Sequence, residues 1–292
     1  MFTLFCKSKG LAWRTLETYE FALGGLRQFL LESSDLLDTP NRDELRVYVA
    51  RLLEKGLART TISIRMRAIR CFCRFLAREG LVESNPMANV TIPKVPEKYP
   101  EILTVEQIKR LLAAAKHASW TGIRNYAMIT TFLDTGMRLS ELINLELDDV
   151  DLTNWSIRIR NGKGGKERYV FMGRGLFRAL RNWLNLRGLS FPETACFLTR
   201  NGNRHDLRNV ERIIERLATK AGLQDIRVTP HILRHTFATH YIKNGGDPFS
   251  LQRILGHSDI KTTMIYVNLA GVGLREAHAK ASPVDRLLAP RS

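Results

Sequence analysis

The chain has 292 residues, 44% hydrophobic and 25% charged, a balance typical of a folded protein with room for two ordinary domains. Its formal charge of +16 and pI near 10.1 favour a polyanionic partner, with nucleic acid as the first candidate, over a basic but inert surface. No apolar run reaches the roughly 20 residues of a membrane span. The apolar stretch formed by the first six residues is too short for the apolar region of a signal peptide. We therefore expect a cytoplasmic protein with no membrane partner.

The four cysteines, Cys6, Cys71, Cys73 and Cys196, have neither the spacing of a disulfide framework nor that of a zinc site. Residues two apart on a helix point in different directions, so Cys71 and Cys73 do not readily share a ligand. Reduced thiols and no metal centre are expected.

The first 95 residues are predicted to form a helical domain. Apolar side chains recur at helical spacing over 16–30 and again over 45–52. The second of these helices follows Asn41 and Glu44, which are spaced as a capping box.

A third helix is predicted from about Thr60 to Arg78. Its apolar stripe consists of Ile62, Met66, Ile69, Cys73 and Leu76. A cationic stripe lies roughly 100° further round the helix and consists of Arg67, Arg70, Arg74 and Arg78. These arginines suit either contacts along a DNA groove or a solvated face.

The three prolines between residues 91 and 100 interrupt helical periodicity and predict an extended linker. We place the linker at 96–103, between the helical domain over 1–95 and a second domain over 104–292. Basic residues exceed acidic ones on both sides, which suits two domains gripping one duplex.

The second domain is predicted to be mostly helical with one β-hairpin. Thr104 and Gln107 are spaced as a capping box. Trp155–Arg160 and Arg168–Phe171 read as strands, and the glycine-rich turn Gly162–Lys166 would place lysines at the hairpin tip. Helices are predicted near 105–117, 122–134, 174–187, 208–221, 231–244 and 248–255, followed by a short helix that carries Tyr266.

His231 and Arg234 are predicted on one face at the start of a helix, because Thr229 and Pro230 suit an N-cap and a first-turn proline. The free N–H groups of a helix N-terminus make this spot suitable for a phosphate oxygen. The alternatives are a capping histidine beside a surface arginine, and a metal pair formed by His231 and His235 without an evident third ligand.

Arg138 is predicted at a tight turn that enters a helix, since it follows Thr135-Gly136-Met137. A guanidinium can grip two phosphate oxygens at once. Arg138 and Arg234 together would match a phosphoryl centre whose negative charge rises in a pentavalent transition state. Glu141, one turn on, would orient Arg138 or form an ordinary exposed helix pair with it.

Tyr266 stands among Met264, Ile265 and Val267, a pattern typical of a core tyrosine. A nucleophilic tyrosine needs nearby cations or a base to release its proton, since its unperturbed pKa is about 10. The cationic residues predicted above supply such an environment, and they make Tyr266 a candidate nucleophile.

These pieces, in this order, resemble the tyrosine recombinase (phage integrase) family, and more narrowly its short two-domain Xer-type members. The resemblance rests on Thr135-Gly-Met-Arg138-Leu-Ser-Glu141-Leu, His231-Ile-Leu-Arg234-His235, and Leu255-Gly-His257 followed by Tyr266. The segment Glu83-Ser-Asn85-Pro86 is similar to the end of the family's DNA-gripping domain. The match covers nearly the whole chain.

The resemblance implies a mainly α fold. It would consist of a SAM-like helical bundle that binds the core DNA site, followed by a mostly helical α+β catalytic domain with a small antiparallel sheet. Tyr266 would attack the scissile phosphate and leave a 3′-phosphotyrosyl link and a free 5′-hydroxyl, without metal, ATP or other cofactor. The implied catalytic residues are Arg138, Lys163, His231, Arg234, His257 and Tyr266, with Glu141 in support.

The implied roles are stabilisation of the non-bridging oxygens by Arg138 and Arg234, protonation of the leaving 5′-oxygen by Lys163, proton movement by His231, and phosphate binding by His257. Lys166 is the rival of Lys163 at the hairpin tip.

The implied function is site-specific recombination on short core sites of double-stranded DNA. A homo-oligomer, a tetramer on two sites, would carry it out, with or without a second related recombinase. A type IB topoisomerase-like enzyme and a DNA-binding regulator without catalysis are the alternatives. The sequence leaves open chromosome-dimer resolution in chromosome partition, plasmid maintenance, and phage or transposon integration.

A terminal segment is predicted to begin a helix at Ser282-Pro283. Its apolar residues Val284, Leu287 and Leu288 would dock on a neighbouring protomer or on their own domain.

Overall fold

A computed structural model describes residues 1–33, 39–96, 99–160, 167–188, 191–271, 278 and 282–284 of the chain. The chain divides into two compact units, Met1–Lys98 and Tyr99–Ser292. Both are mainly helical, and the second also contains a small antiparallel sheet. The mainly α fold predicted from the sequence is confirmed.

The described part of the first unit contains the helices α1 (Phe2–Ser8), α2 (Trp13–Ser33), α3 (Arg42–Glu54) and α4 (Arg59–Arg78). Helix α3 begins with the predicted capping box, in which Asn41 accepts from the backbone of Glu44 and Glu44 accepts from that of Asn41. Helices α2, α3 and α4 share one apolar core, which Met87 and Val90 complete.

Helix α4 buries one face and exposes another. Each residue of the predicted apolar stripe is buried, and Ile69 and Met66 are inaccessible to solvent. On the cationic stripe, Arg67, Arg74 and Arg78 are exposed. Arg70 differs from them, because its Nη2 donates to the carbonyl of Val90 at 3.1 Å and so helps to close this unit.

The second unit contains eight named α-helices among its described residues, with a sheet inserted after the third. They are α5 (Val105–Ala115), α6 (Trp120–Thr135), α7 (Leu139–Ile143), α8 (Arg174–Arg187), α9 (Leu207–Lys220), α10 (Pro230–Lys243), α11 (Pro248–Leu255) and α12 (Ile260–Ala270). The predicted capping box at Thr104 and Gln107 and the N-cap Thr229 with Pro230 are confirmed.

The sheet has the order β1 (Val150–Asp151), β2 (Ser156–Ile159) and β3 (Arg168–Phe171), antiparallel throughout. The predicted hairpin is present, with Ile157 opposite Val170. Strand β2 is shorter than predicted at its start, because Trp155 has a positive φ of 52° and lies in the preceding turn, where it stacks on Phe177. Strand β1 has two residues, too few to give a period-two pattern.

Most of the second unit surrounds one core, built on α5, α6, α8, α9 and the buried face of the hairpin. Leu103, in the segment predicted as a linker, is fully buried there, and its N–H donates to Thr236 Oγ1 at 2.9 Å. Ordered structure of the second unit therefore begins before Thr104.

A smaller core joins α10, α11 and α12 through Ala238, Ile242, Leu251, Leu255 and Tyr266. It fixes the helices that carry Arg234 and Tyr266 and the helix end that precedes His257. No helix within the described ranges combines the length and apolarity that crossing a membrane requires.

Replacement of Ile69 by Ala should weaken α4, because it removes an inaccessible side chain from the core of the first unit. The opening free energy of the α4 amides should fall by about 2–5 kcal/mol, as measured by hydrogen–deuterium exchange. Ile64→Ala on the same helix is the matched control, since Ile64 is 53% exposed; its effect should stay within about 0.5 kcal/mol. Equal losses of protection would contradict the assigned buried face.

Candidate active site

The turn between α6 and α7 fixes Arg138. Helix α6 ends at Gly136, whose φ of 60° is left-handed and whose Cβ position would lie 2.3 Å from the Phe237 ring. Only glycine fits such a conformation and such a space. Arg138 follows as the N-cap residue of α7, with its side chain 29% exposed. The predicted tight turn before a helix is confirmed.

Arg234 lies in the first half of α10 and is 5% exposed. Its Nη1 donates to the carbonyl of Gly136 at 2.6 Å, and its Nη2 donates to that of Leu255 at 2.8 Å. Burial and then the charge of Arg138 lower the pKa of Arg234 to about 10, so the group stays cationic at neutral pH. Arg234 thus connects α10 to the ends of α6 and α11.

Three consecutive carbonyls at the end of α11 each accept from a different arginine. Ile254 accepts from Arg168 Nε at 2.7 Å, Leu255 from Arg234, and Gly256 from Arg138 Nη2 at a longer 3.4 Å. The last carbonyls of a helix lack intrahelical partners and carry partial negative charge. The end of α11 therefore gathers three guanidinium groups in one place.

Glu141 on α7 is the carboxylate shared by two of these arginines, and its side chain is 6% exposed. It accepts from Arg168 Nη1 and Nη2 at 2.9 and 2.7 Å, from Arg138 Nη1 at 2.8 Å, and from the Arg138 backbone at 2.7 Å. Burial alone would raise the pKa of Glu141, but the hydrogen bonds and charges of Arg168, and then Arg138, outweigh it and lower the pKa to about 2. The pair with Arg138 is not an ordinary exposed one.

His257 follows this helix end and contacts Arg234. Its Nε2 lies 3.0 Å from Arg234 Nη2, which only donates, so Nε2 is an acceptor. Its Nδ1 lies 3.0 Å from Thr263 Oγ1 and carries the proton. Burial, followed by the charge of Arg234, lowers the pKa of His257 to about 4. The imidazole is therefore neutral near pH 7.

Tyr266 on α12 is 3% exposed. Its hydroxyl lies 2.9 Å from His235 Nδ1, and its ring stacks on that of His257 with centroids 6.3 Å apart. Burial raises the pKa of Tyr266, while the charges of Arg234 and Arg138 oppose that rise. Burial also lowers the pKa of His235 to about 4, with smaller contributions from His231 and Arg234.

Four of the predicted catalytic residues therefore meet in one site: Arg138, Arg234, His257 and Tyr266. His231 begins α10 beside them and is exposed. Lys163 and its rival Lys166 lie outside the described residues. The arginines of α4 belong to the other unit.

Sequence reasoning missed two residues of the site, Arg168 and His235. The alternating pattern predicts Arg168 only as the start of a strand, although a cation at the base of a lysine-bearing hairpin is a usable signal. His235 belongs to the motif that carries the family resemblance, but the only role its spacing suggests is that of a metal ligand beside His231. Within the described ranges no three His, Cys, Asp or Glu side chains are grouped to hold a metal ion, and His235 contacts Tyr266 instead.

Comparison with family models matches two parts of the chain. Residues 101–271 match the phage integrase family, and residues 4–80 match the phage integrase N-terminal SAM-like domain. A tyrosine recombinase XerC from Chlamydia trachomatis is 32% identical, over 94% of this chain and 94% of that protein. A tyrosine recombinase XerD from Halalkalibacterium halodurans is 34% identical, over 94% and 93%.

The fold is also similar to that of XerH site-specific recombinase bound to a palindromic difH substrate in a post-cleavage complex. The TM-score is 0.76 at 23% identity, over 96% of this chain and 82% of that chain. At this identity the likeness concerns the fold, and it extends across both units.

Replacement of Glu141 by Gln should destabilise the second unit, because it leaves the nearly buried Arg168 and the partly buried Arg138 without their shared carboxylate. Breaking such an ion pair costs about 3–5 kcal/mol at pH 7. Since the pKa of Glu141 is lowered from 4.5 to about 2 on folding, its contribution is complete above pH 4.5 and is lost as pH falls towards 2.

Urea unfolding of parent and Glu141→Gln at pH 7 and pH 3 measures this effect, and the difference between them should shrink at the lower pH. Glu106→Gln is the control, because Glu106 forms an exposed pair with Lys109 at 3.7 Å and should change stability by less than about 1 kcal/mol. A difference for Glu141→Gln that is the same at both pH values would contradict the low pKa.

Proposed function

Because the chain belongs to the phage integrase family and is a tyrosine site-specific recombinase of the XerC and XerD kind, we propose that Tyr266 cuts DNA by attacking the scissile phosphate. The phenolic oxygen would form a bond to phosphorus as the bond to the 5′-oxygen breaks, which gives a 3′-phosphotyrosyl link and a free 5′-hydroxyl. A second 5′-hydroxyl would reverse the step and rejoin the strand, with no metal or ATP.

The observation that carries this proposal is the convergence of Arg138, Arg234, His257 and Tyr266, which are far apart in sequence. The guanidinium groups of Arg138, Arg168 and Arg234 gather at the end of α11, and the first two share the carboxylate of Glu141. The excess of positive charge in a largely buried site suits a phosphodiester, whose negative charge grows in the transition state. We therefore assign charge stabilisation to Arg138 and Arg234.

Proton movements in the proposed step involve histidines and a lysine. His235 Nδ1 lies within hydrogen-bond distance of the Tyr266 hydroxyl and can accept its proton. His231, exposed at the start of α10, is proposed to assist this movement. His257 is proposed to bind the scissile phosphate, and Lys163 to protonate the leaving 5′-oxygen, as the family resemblance implies.

Tyr266 is nearly inaccessible in this conformation. A phosphodiester must reach its hydroxyl, so we propose that DNA binding moves α12 or its surroundings before cleavage. The approach of an anionic phosphate would also raise the pKa of the nearby histidines.

Double-stranded DNA is the proposed partner. Support comes from the net charge of +16, from the exposed Arg67, Arg74 and Arg78 on α4, and from the DNA-bound state of XerH. Arg70 is held by Val90 within its own unit, which leaves the other three as the better candidates for phosphate contacts. We propose a tetramer on two sites, alone or with a second recombinase.

The C-terminal segment is proposed to take part in that assembly. Within its described residues, Ser282 is buried and Val284 is 60% exposed, while Leu287 and Leu288 lie outside the described ranges. An exposed apolar side chain here suits docking on a neighbouring protomer.

A nicked DNA substrate that traps the intermediate should give a covalent protein–DNA adduct that survives denaturant, with no added metal. Tyr266→Phe should abolish the adduct, because the attacking oxygen is gone. Tyr241→Phe is the matched control, since Tyr241 packs against the same small core and should keep the adduct. Denaturing gel electrophoresis measures the adduct for the parent and for both variants. An adduct with Tyr266→Phe would falsify the assignment of the nucleophile.

Arg138→Lys should bind DNA but cleave slowly, because a point charge replaces a two-pronged guanidinium. Loss of one transition-state donor typically lowers the rate about 100- to 1000-fold. Single-turnover adduct formation and gel-shift titration separate cleavage from binding. Cleavage at the parental rate would count against the role assigned to Arg138.

A type IB topoisomerase-like enzyme would give a different result in assays of plasmid relaxation and strand exchange. Relaxation of supercoiled plasmid without a specific site, together with no strand exchange between cognate sites, would replace recombination by DNA relaxation as the proposed function.

A further inference from the structure

Arg168 is the first residue of β3, and it has no assigned role in the proposed reaction. Its side chain is 11% exposed, and a cation so well buried requires partners. All the partners described for it belong to the two segments that carry Arg138 and His257.

The first link runs through Glu141 to Arg138. Arg168 donates with both terminal nitrogens to the two oxygens of Glu141, at 2.9 and 2.7 Å. Each of those oxygens also accepts from Arg138, one from Nη1 and one from the backbone N–H. The orientation of the carboxylate toward Arg138 is thus set by the fork of Arg168.

The second link runs to the turn before His257. Arg168 Nε donates to the carbonyl of Ile254 at 2.7 Å. The guanidinium lies against Gly256, where a Cβ would stand 3.2 Å from Nη1 and 3.3 Å from Cδ and Cζ. With φ of 65° and this close approach, Gly256 cannot be replaced without moving Arg168. The turn that places His257 therefore rests on the Arg168 side chain.

We propose that Arg168 is a positioning residue, which fixes the positions of Arg138 and His257 relative to each other and does not itself bind the phosphate. This inference rests on the proposed function of the site. Its three hydrogen bonds engage Nε and both terminal nitrogens with the protein itself. Without Arg168, Glu141 is free to turn fully onto Arg138 and withdraw that guanidinium from the phosphate.

The test uses the full-length protein with Arg168→Lys, because one ammonium cannot span both oxygens of Glu141 and the Ile254 carbonyl. Adduct formation on the nicked substrate should slow about 100-fold, the cost of a displaced catalytic group. DNA affinity should change less than about threefold, since no phosphate contact is lost.

Arg204→Lys is the matched control. Arg204 donates to the carbonyl of Ile143 at the opposite end of α7 from Arg138, and to Glu146 and Glu193. It thus forms a partly buried ion-pair network without a described hydrogen bond to Arg138 or His257. Its cleavage rate should stay near that of the parent. If Arg204→Lys slows cleavage as much as Arg168→Lys does, general loss of a buried pair explains the effect and the inference is overturned.

A substrate with a methylphosphonate at the scissile position distinguishes positioning of Arg138 from a purely structural role. It replaces one non-bridging oxygen by a methyl group and removes the charge that the arginines balance. The deficit of Arg168→Lys should shrink to about tenfold or less on this substrate. An equal deficit on both substrates would show that Arg168 does not act through Arg138.

The remaining outcomes are also decisive. If the parent forms no adduct, the proposed function fails; if the parent does and Arg168→Lys matches its rate, only the positioning role fails. Thermal unfolding of Arg168→Lys and of the second variant Arg168→Gln checks folding. Loss of folding in both, with Arg204→Lys folded, would assign Arg168 to stability alone and overturn the inference.

Discussion

The site depends on how three guanidinium groups are held within one pocket. Like charges repel strongly where water is scarce, and two anionic or partly anionic groups offset that repulsion here. One is the carboxylate of Glu141, shared between Arg138 and Arg168. The other is the end of α11, whose last carbonyls accept from the arginines in turn. The short helices α7 and α11 therefore stabilise the three guanidinium groups electrostatically, in addition to packing within the fold.

Burial of this cluster explains the protonation states around it. Desolvation lowers the pKa of Arg234 to about 10 and that of His257 to about 4, with neighbouring cations adding to both shifts. Arg234 therefore stays charged, while His235 and His257 stay neutral near pH 7. A largely buried site with excess positive charge is organised for an anion before that anion arrives.

Tyr266 joins this electrostatic cluster to the packing of the fold. It belongs to the small core of α10, α11 and α12, and its hydroxyl contacts His235 on α10. Tyr266 is therefore a core residue through its ring and the proposed nucleophile through its hydroxyl. Because the ring is buried and stacks on His257, any movement that exposes the hydroxyl also disturbs its neighbours on α10 and α11.

The sequence alone determined the local features: the helices, their caps, the glycine turn before Arg138, the hairpin, and the family resemblance. These follow from spacing and from nearest-neighbour chemistry, which any short segment carries. Only the tertiary structure decided that Glu141 is shared with Arg168, that the α11 carbonyls gather the arginines, and that His235 contacts Tyr266. Those contacts join residues distant in the chain, and burial sets their charges, so neither the partners nor the pKa shifts are encoded in any local pattern.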